Sequence, residues 1–102
     1  MARLVSTARF RSDTSEIIDY LERVAGSRVA ESYSHRFRTT VARLTELPGS
    51  GAPRTELGTN VRIVIVSPYI LIYDYALDDD TVVLLRILHG RRNITRQLVR
   101  RR

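Results

Sequence analysis

"VRIVIVSPYILIYDYALDDDTVVLLRILH", residues 61–89, is the stretch whose reading decides the fold. It contains three β-rich runs, Val61–Val66, Tyr69–Leu77 and Thr81–His89, separated by Ser67-Pro68 and by Asp78-Asp79-Asp80. β-Branched and aromatic residues suit a pleated, half-buried surface, whereas proline and clustered aspartates suit turns. Links this short join antiparallel neighbours, so the stretch predicts a three-stranded meander.

Upstream, the hydrophobic period lengthens. "RLVST" (Arg3–Thr7) predicts a first strand. Asp13 three residues before Glu16 predicts a helix N-terminus. Ile17, Ile18, Leu21 and Val24 then mark one apolar face, and Gly26 ends the helix. Ser27 is placed to cap a second helix, in which Ala30, Tyr33, Phe37, Val41, Leu44 and Leu47 recur every three or four residues until Pro48. A three- or four-residue connection would make the two an αα-hairpin. Pro48–Asn60 is the one Gly/Pro-rich stretch and predicts a surface loop. After the last strand, Asn93 is a candidate cap for a short helix with Ile94 and Leu98 on one side, which would persist only if docked. The expected class is α+β within one domain, residues 1–102: N-terminal strand, αα-hairpin, antiparallel meander and a possible short C-terminal helix.

Composition narrows the function. With 102 residues and 43% apolar content the chain can build a real core. It has no cysteine, which excludes disulfides and thiolate metal sites. No apolar run approaches the ~20 residues of a membrane helix, and "MARLVSTARF" has no signal-peptide pattern. A cytoplasmic protein without membrane attachment is expected. The net charge is +6, and all 17 cationic residues are arginine. Residues 86–102 hold seven of them and no acid, leaving ten arginines against eleven acids elsewhere. A near-neutral domain therefore ends in a strongly basic segment suited to a polyanion or an acidic partner.

Several stretches, in order, resemble the RelE/ParE superfamily of toxins from type II toxin–antitoxin systems. "SEIIDYLERVAG" (15–26) is similar to the family's first helix, and "LTELPGSGAPRTEL" (44–57) to its Leu-x-x-x-Pro-x-x-Gly stretch. "NVRIVIVSPYILIYDY" (60–75) is similar to its Gly-x-Arg strand followed by Tyr-x-x-x-Tyr. "VVLLRILHGRRNI" (82–94) resembles the ParE-type ending, in which Arg-Val-Leu-His runs into glycine and a basic residue. The resemblance covers residues 3–95 and implies one of two activities: ParE-like inhibition of DNA gyrase without catalysis, or RelE-like cleavage of mRNA on the ribosome. It also implies a cognate antitoxin, ParD-like or another small acidic protein, wrapping a partly disordered segment around the hairpin and sheet.

The residues favour the ParE-like branch. RelE-type toxins place lysines and an arginine on the central strands and add a late arginine and tyrosine. This chain has no lysine, Ile70 stands where the second-strand arginine would be, and "NITRQLV" stands where the tyrosine would be. Arginine clamps phosphate but is a poor proton shuttle. Should the chain be a nuclease, Arg62, Arg86 and His89 are the candidates, with Glu56 as the acid of a Glu–Arg–His set. Strand alternation predicts Arg62 and Arg86 on the sheet face away from the hairpin, forming a basic concavity with His89. Gly90-Arg91-Arg92 could cradle a phosphate. Otherwise His89 is a structural histidine, and no catalytic residue is favoured. Arg86, His89, Arg91, Arg92 and Arg96 are then the expected target-binding residues. Tyr69, Tyr73 and Tyr75, with Tyr20 and Tyr33, are expected to pack, His35 to be exposed, and the three aspartates to form a solvated turn. No metal or cofactor is expected, and direct nucleic-acid binding is possible without being favoured. A third option is a toxin fold kept as a non-toxic binding module.

Overall fold

A computed structural model describes residues 1–100. Strand β1 (Arg3–Ser6) leads into helices α1 (Ala8–Ala25) and α2 (Ser27–Glu46). A single 3₁₀ turn (Pro48–Ser50) and strand β2 (Ala52–Pro53) follow. The meander is β3 (Val61–Val66), β4 (Tyr69–Ala76) and β5 (Thr81–His89), and α3 (Arg96–Val99) closes the described chain. The five strands form one mixed sheet in the order β1-β5-β4-β3-β2, antiparallel except where β1 runs parallel to β5.

The hairpin covers one face of the sheet. Phe10 and Leu21 of α1 and Ala30, Phe37 and Leu44 of α2 pack onto Tyr69, Leu71, Tyr73, Val82, Leu84 and Ile87. Tyr69 and Tyr73 are core residues as expected, and the Tyr33, Phe37 and Tyr69 rings meet one another at 5.6–6.0 Å between centroids. His35 is exposed, and the aspartates form a turn in which Asp80 accepts a hydrogen bond from Tyr75. Val24, Leu47 and Tyr20 differ from expectation, being 60%, 60% and 51% exposed.

The helix boundaries also differ. α1 begins at Ala8, five residues before Asp13, because Thr7 in an extended conformation accepts the Phe10 N–H at 3.1 Å. Ser27 caps nothing; Gly26, with φ +92°, joins the helices alone. That backbone conformation disfavours any side chain and explains why one residue suffices where three or four were expected. Thr95, not Asn93, precedes α3.

Only Thr81–Leu84 of β5 pairs with β1, so the rest of that strand has an open edge. α1 closes it with side chains. The Thr7 hydroxyl donates to the Leu85 carbonyl at 3.0 Å, and the Asp13 carboxylate accepts the Ile87 N–H at 3.1 Å. Such contacts satisfy groups that would otherwise be orphaned beside a core.

The other sheet face carries a second core of Val61, Ile72, Val83, Leu85 and Leu88, covered by Leu57, Ile94, Leu98 and Val99. The Pro48–Asn60 segment is therefore more than a surface loop: it adds β2 to the sheet and buries Leu57 to 4% exposure. The short C-terminal helix exists and is docked, as its length requires.

Candidate functional site: the C-terminal basic segment

The three possible nuclease residues do not converge. The register of β4 and β5 slips between Ile72 and Tyr73, so that Arg86 pairs with Ile72 and Leu84 with Tyr73, leaving Leu85 as an extra residue. A bulge of this kind breaks strict alternation. Arg86 thus leaves β5 beside the second core. Arg62 pairs with Tyr73 and His89 with Tyr69, both residues of the hairpin-side core. Tyr73 and Tyr69 are four residues apart on β4, about 13 Å. The predicted basic concavity on the uncovered face is absent: the face is covered, and the three side chains diverge.

Each of the three already has partners. One Arg62 guanidinium nitrogen donates to the Gly49 and Gly51 carbonyls at 3.1 and 2.7 Å, gripping the 3₁₀ turn. Arg86 passes round the open edge of β5 to Asp13. Its Nε and Nη2 donate to the two carboxylate oxygens at 2.7 and 2.8 Å, while Nη1 donates to the Leu98 carbonyl at 3.0 Å. The side chains of the pair are 13% and 8% exposed. Hydrogen bonding to Asp13 raises the already high pKa of Arg86, outweighing burial. Breaking one side of such a pair costs about 3–5 kcal/mol.

His89 stacks edge-on against Tyr69 at 5.7 Å, and its Nδ1 accepts the Arg91 N–H at 3.0 Å. In the neutral ring that bond goes with the proton on Nε2, so the Nδ1 lone pair is engaged by the backbone. Glu56 sits on the β2–β3 segment paired with Arg54, which holds its carboxyl below the usual range and keeps it ionised. The Gly90-Arg91-Arg92 backbone is no phosphate cradle either. Its three N–H groups donate to the Pro68 carbonyl (2.8 Å), His89 Nδ1 and the His89 carbonyl (3.0 Å).

What remains outward is charge. Arg91, Arg92 and Arg96 are exposed. The Arg91 and Arg92 guanidinium groups have no partner among the described residues, and Arg96 makes one 3.3 Å bond to the Glu56 carbonyl. They stand on a segment pinned by Ile94, Leu98 and Val99 against the second core. Arg92 also borders a small cleft with Glu16, Tyr20, Tyr69 and His89. On the opposite side of α1, a long groove runs between the helices over Phe10, Ile18, Phe37, Val41 and Leu84, with Leu4 of β1 at its rim. Asp13 is the one organising residue that sequence reasoning misassigned. The signal was its place on the stripe Phe10, Asp13, Ile17, Leu21, where an acid facing a core demands a buried partner.

A family model described as the ParE toxin of the type II toxin–antitoxin system, parDE, matches residues 4–94. The chain is 31% identical over 98 residues to Toxin ParE3 of Caulobacter vibrioides, with 96% of each covered. Among solved structures it is similar to the chromosomal ParDE toxin–antitoxin system from P. aeruginosa, with a TM-score of 0.72, 21% identity, and coverage of 87% of this chain and 96% of that one. It is also similar to the RelBE2 toxin–antitoxin complex from Mycobacterium tuberculosis, with a TM-score of 0.57, 19% identity, and coverage of 86% and 96%. These last two likenesses speak for the fold.

Proposed function

Because the chain belongs to the ParE toxin family of type II toxin–antitoxin systems, we propose that it arrests growth by inhibiting DNA gyrase, and that a cognate antitoxin neutralises it. The observation that carries the non-catalytic reading is the internal use of every candidate catalytic group. Arg62 holds a turn, Arg86 is paired with Asp13, and His89 has its basic nitrogen occupied. The groups left to meet a target are the exposed arginines Arg91, Arg92 and Arg96, with His89 as their structural support. They suit an acidic protein surface or a DNA backbone near the gyrase complex.

The groove between the helices suits an antitoxin segment that inserts apolar anchors, and Arg11 and Arg38 at its sides would meet acids on that segment. No helix among the described residues is long and apolar enough to cross a membrane, and action in the cytoplasm accords with an intracellular target.

Replacing Arg91, Arg92 and Arg96 together with alanine is expected to abolish growth arrest while the far-UV circular dichroism and melting cooperativity stay as in the parent. Purified protein is expected to drive gyrase-dependent DNA cleavage and to leave ribosome-bound mRNA intact. Cutting of mRNA in the ribosomal A site, lost on His89→Ala, would overturn the proposal in favour of the RelE-like activity.

A further inference from the structure

The C-terminal segment leaves the sheet at His89 and returns across its second face, yet little fixes its direction. α3 has only four residues and no side-chain cap, too short to hold itself. Apolar contacts through Ile94, Leu98 and Val99 are non-directional. The Arg96 bond to the Glu56 carbonyl is long, at 3.3 Å, and exposed. Among the described residues, the short, part-buried and directional tie beyond the turn at Gly90 is Arg86 Nη1 to the Leu98 carbonyl at 3.0 Å.

That tie is aimed from the first helix. A guanidinium presents its N–H groups in a rigid planar fork, so fixing two nitrogens fixes the third. Asp13 engages Nε and Nη2 at 2.7 and 2.8 Å. The carboxylate is itself immobilised, because it also accepts the Ile87 N–H of β5. We propose that Asp13 is a positioning residue for the basic segment: acting through the Arg86 fork, it sets the Leu98 backbone and thereby where Arg96, one of the three exposed arginines, presents its charge from the same short helix. This inference rests on the reading of those arginines as the target-binding groups. It assigns a buried acid 73 residues upstream of Arg86 to the same functional unit as the exposed Arg96.

The separating substitution is Arg86→Lys in the full chain. Lysine keeps a cation against Asp13 but has one nitrogen, which cannot both pair there and reach the Leu98 carbonyl. Limited trypsin digestion followed by mass spectrometry reads the docking of the segment at Arg96. Cleavage there is expected to run about tenfold faster than in the parent, while the melting transition of the remainder persists and growth arrest weakens. Asp13→Asn keeps an acceptor for the Ile87 N–H but no longer neutralises the guanidinium, and the same changes are expected. If that variant does not fold, Arg86→Lys decides alone. Cleavage of Arg86→Lys at the parental rate would overturn the clamp. Faster cleavage with undiminished arrest would overturn its role in presenting the Arg96 charge. Arrest that survives the triple alanine substitution overturns the target-binding reading and the use of the clamp with it, whereas the protease rate still reports the clamp itself.

Discussion

Tyr73 shows how one side chain can organise a distant turn. Its ring is fully buried, and its hydroxyl donates to the Pro48 carbonyl at 2.6 Å while accepting the Gly51 N–H at 2.9 Å. Gly51 has to be glycine for this closeness, since a Cβ there would lie 2.6 Å from the Tyr73 hydroxyl and 2.8 Å from the Ile63 carbonyl. Tyr73→Phe leaves both turn groups without that partner and is expected to cost about 1–3 kcal/mol, read as a lower denaturation midpoint. The pH dependence carries a second signature. Burial pushes the Tyr73 phenol above its ordinary value of 10.0, against the lowering effects of Gly51 and Arg62. Between the unfolded and folded pKa values the native state keeps a proton that the unfolded state has lost, so stability falls as pH rises past about 10. The alkaline loss should be shallower in Tyr73→Phe, and an unchanged alkaline limb would assign it to Tyr69 and Tyr75, whose phenols are also raised.

The start of α1 offers the clearest test at the level of one element. Thr7 both caps the helix and donates to the open edge of β5. Thr7→Ala should therefore cost about 1–2 kcal/mol, toward the upper end of cap substitutions. Ser27→Ala should change stability by less than about 0.5 kcal/mol, since Ser27 makes no capping bond. Equal losses in chemical denaturation would refute the assignment. The contrast also shows what the sequence made legible. The meander was readable because its turn residues and strand periods agree, and the hairpin because its apolar stripes are long. Helix boundaries were less so, because Asp13 and Ser27 satisfy local capping rules, whereas Arg86 and Ile87 claim Asp13 and Gly26 alone makes the turn before Ser27. The site was hidden for a related reason. One bulge at Leu85 shifts Arg86 out of simple alternation, and no spacing rule places Asp13 opposite a strand 73 residues later.

At the scale of the whole molecule, the basic segment has two separable duties. It covers the second core, where burial of Val99 alone is worth about 1.5–3 kcal/mol. It also supplies the surplus charge, because residues 91–102 hold six arginines and no acid, and the net charge without them falls from +6 to 0. A chain ending at Gly90 would lose both, exposing Leu57, Ile70, Leu85 and Leu88 as an apolar patch on a protein without net charge. Either change promotes association. The expected outcome is strong binding of a hydrophobic dye and a shift from monomer to larger species in light scattering. The triple Arg91, Arg92 and Arg96 alanine variant distinguishes the causes, since it halves the net charge while keeping Ile94, Leu98 and Val99 in place. If the apolar cover matters most, that variant stays monomeric and binds little dye while the truncated chain self-associates. If charge repulsion alone keeps the protein dispersed, the two variants should associate in proportion to the arginines removed.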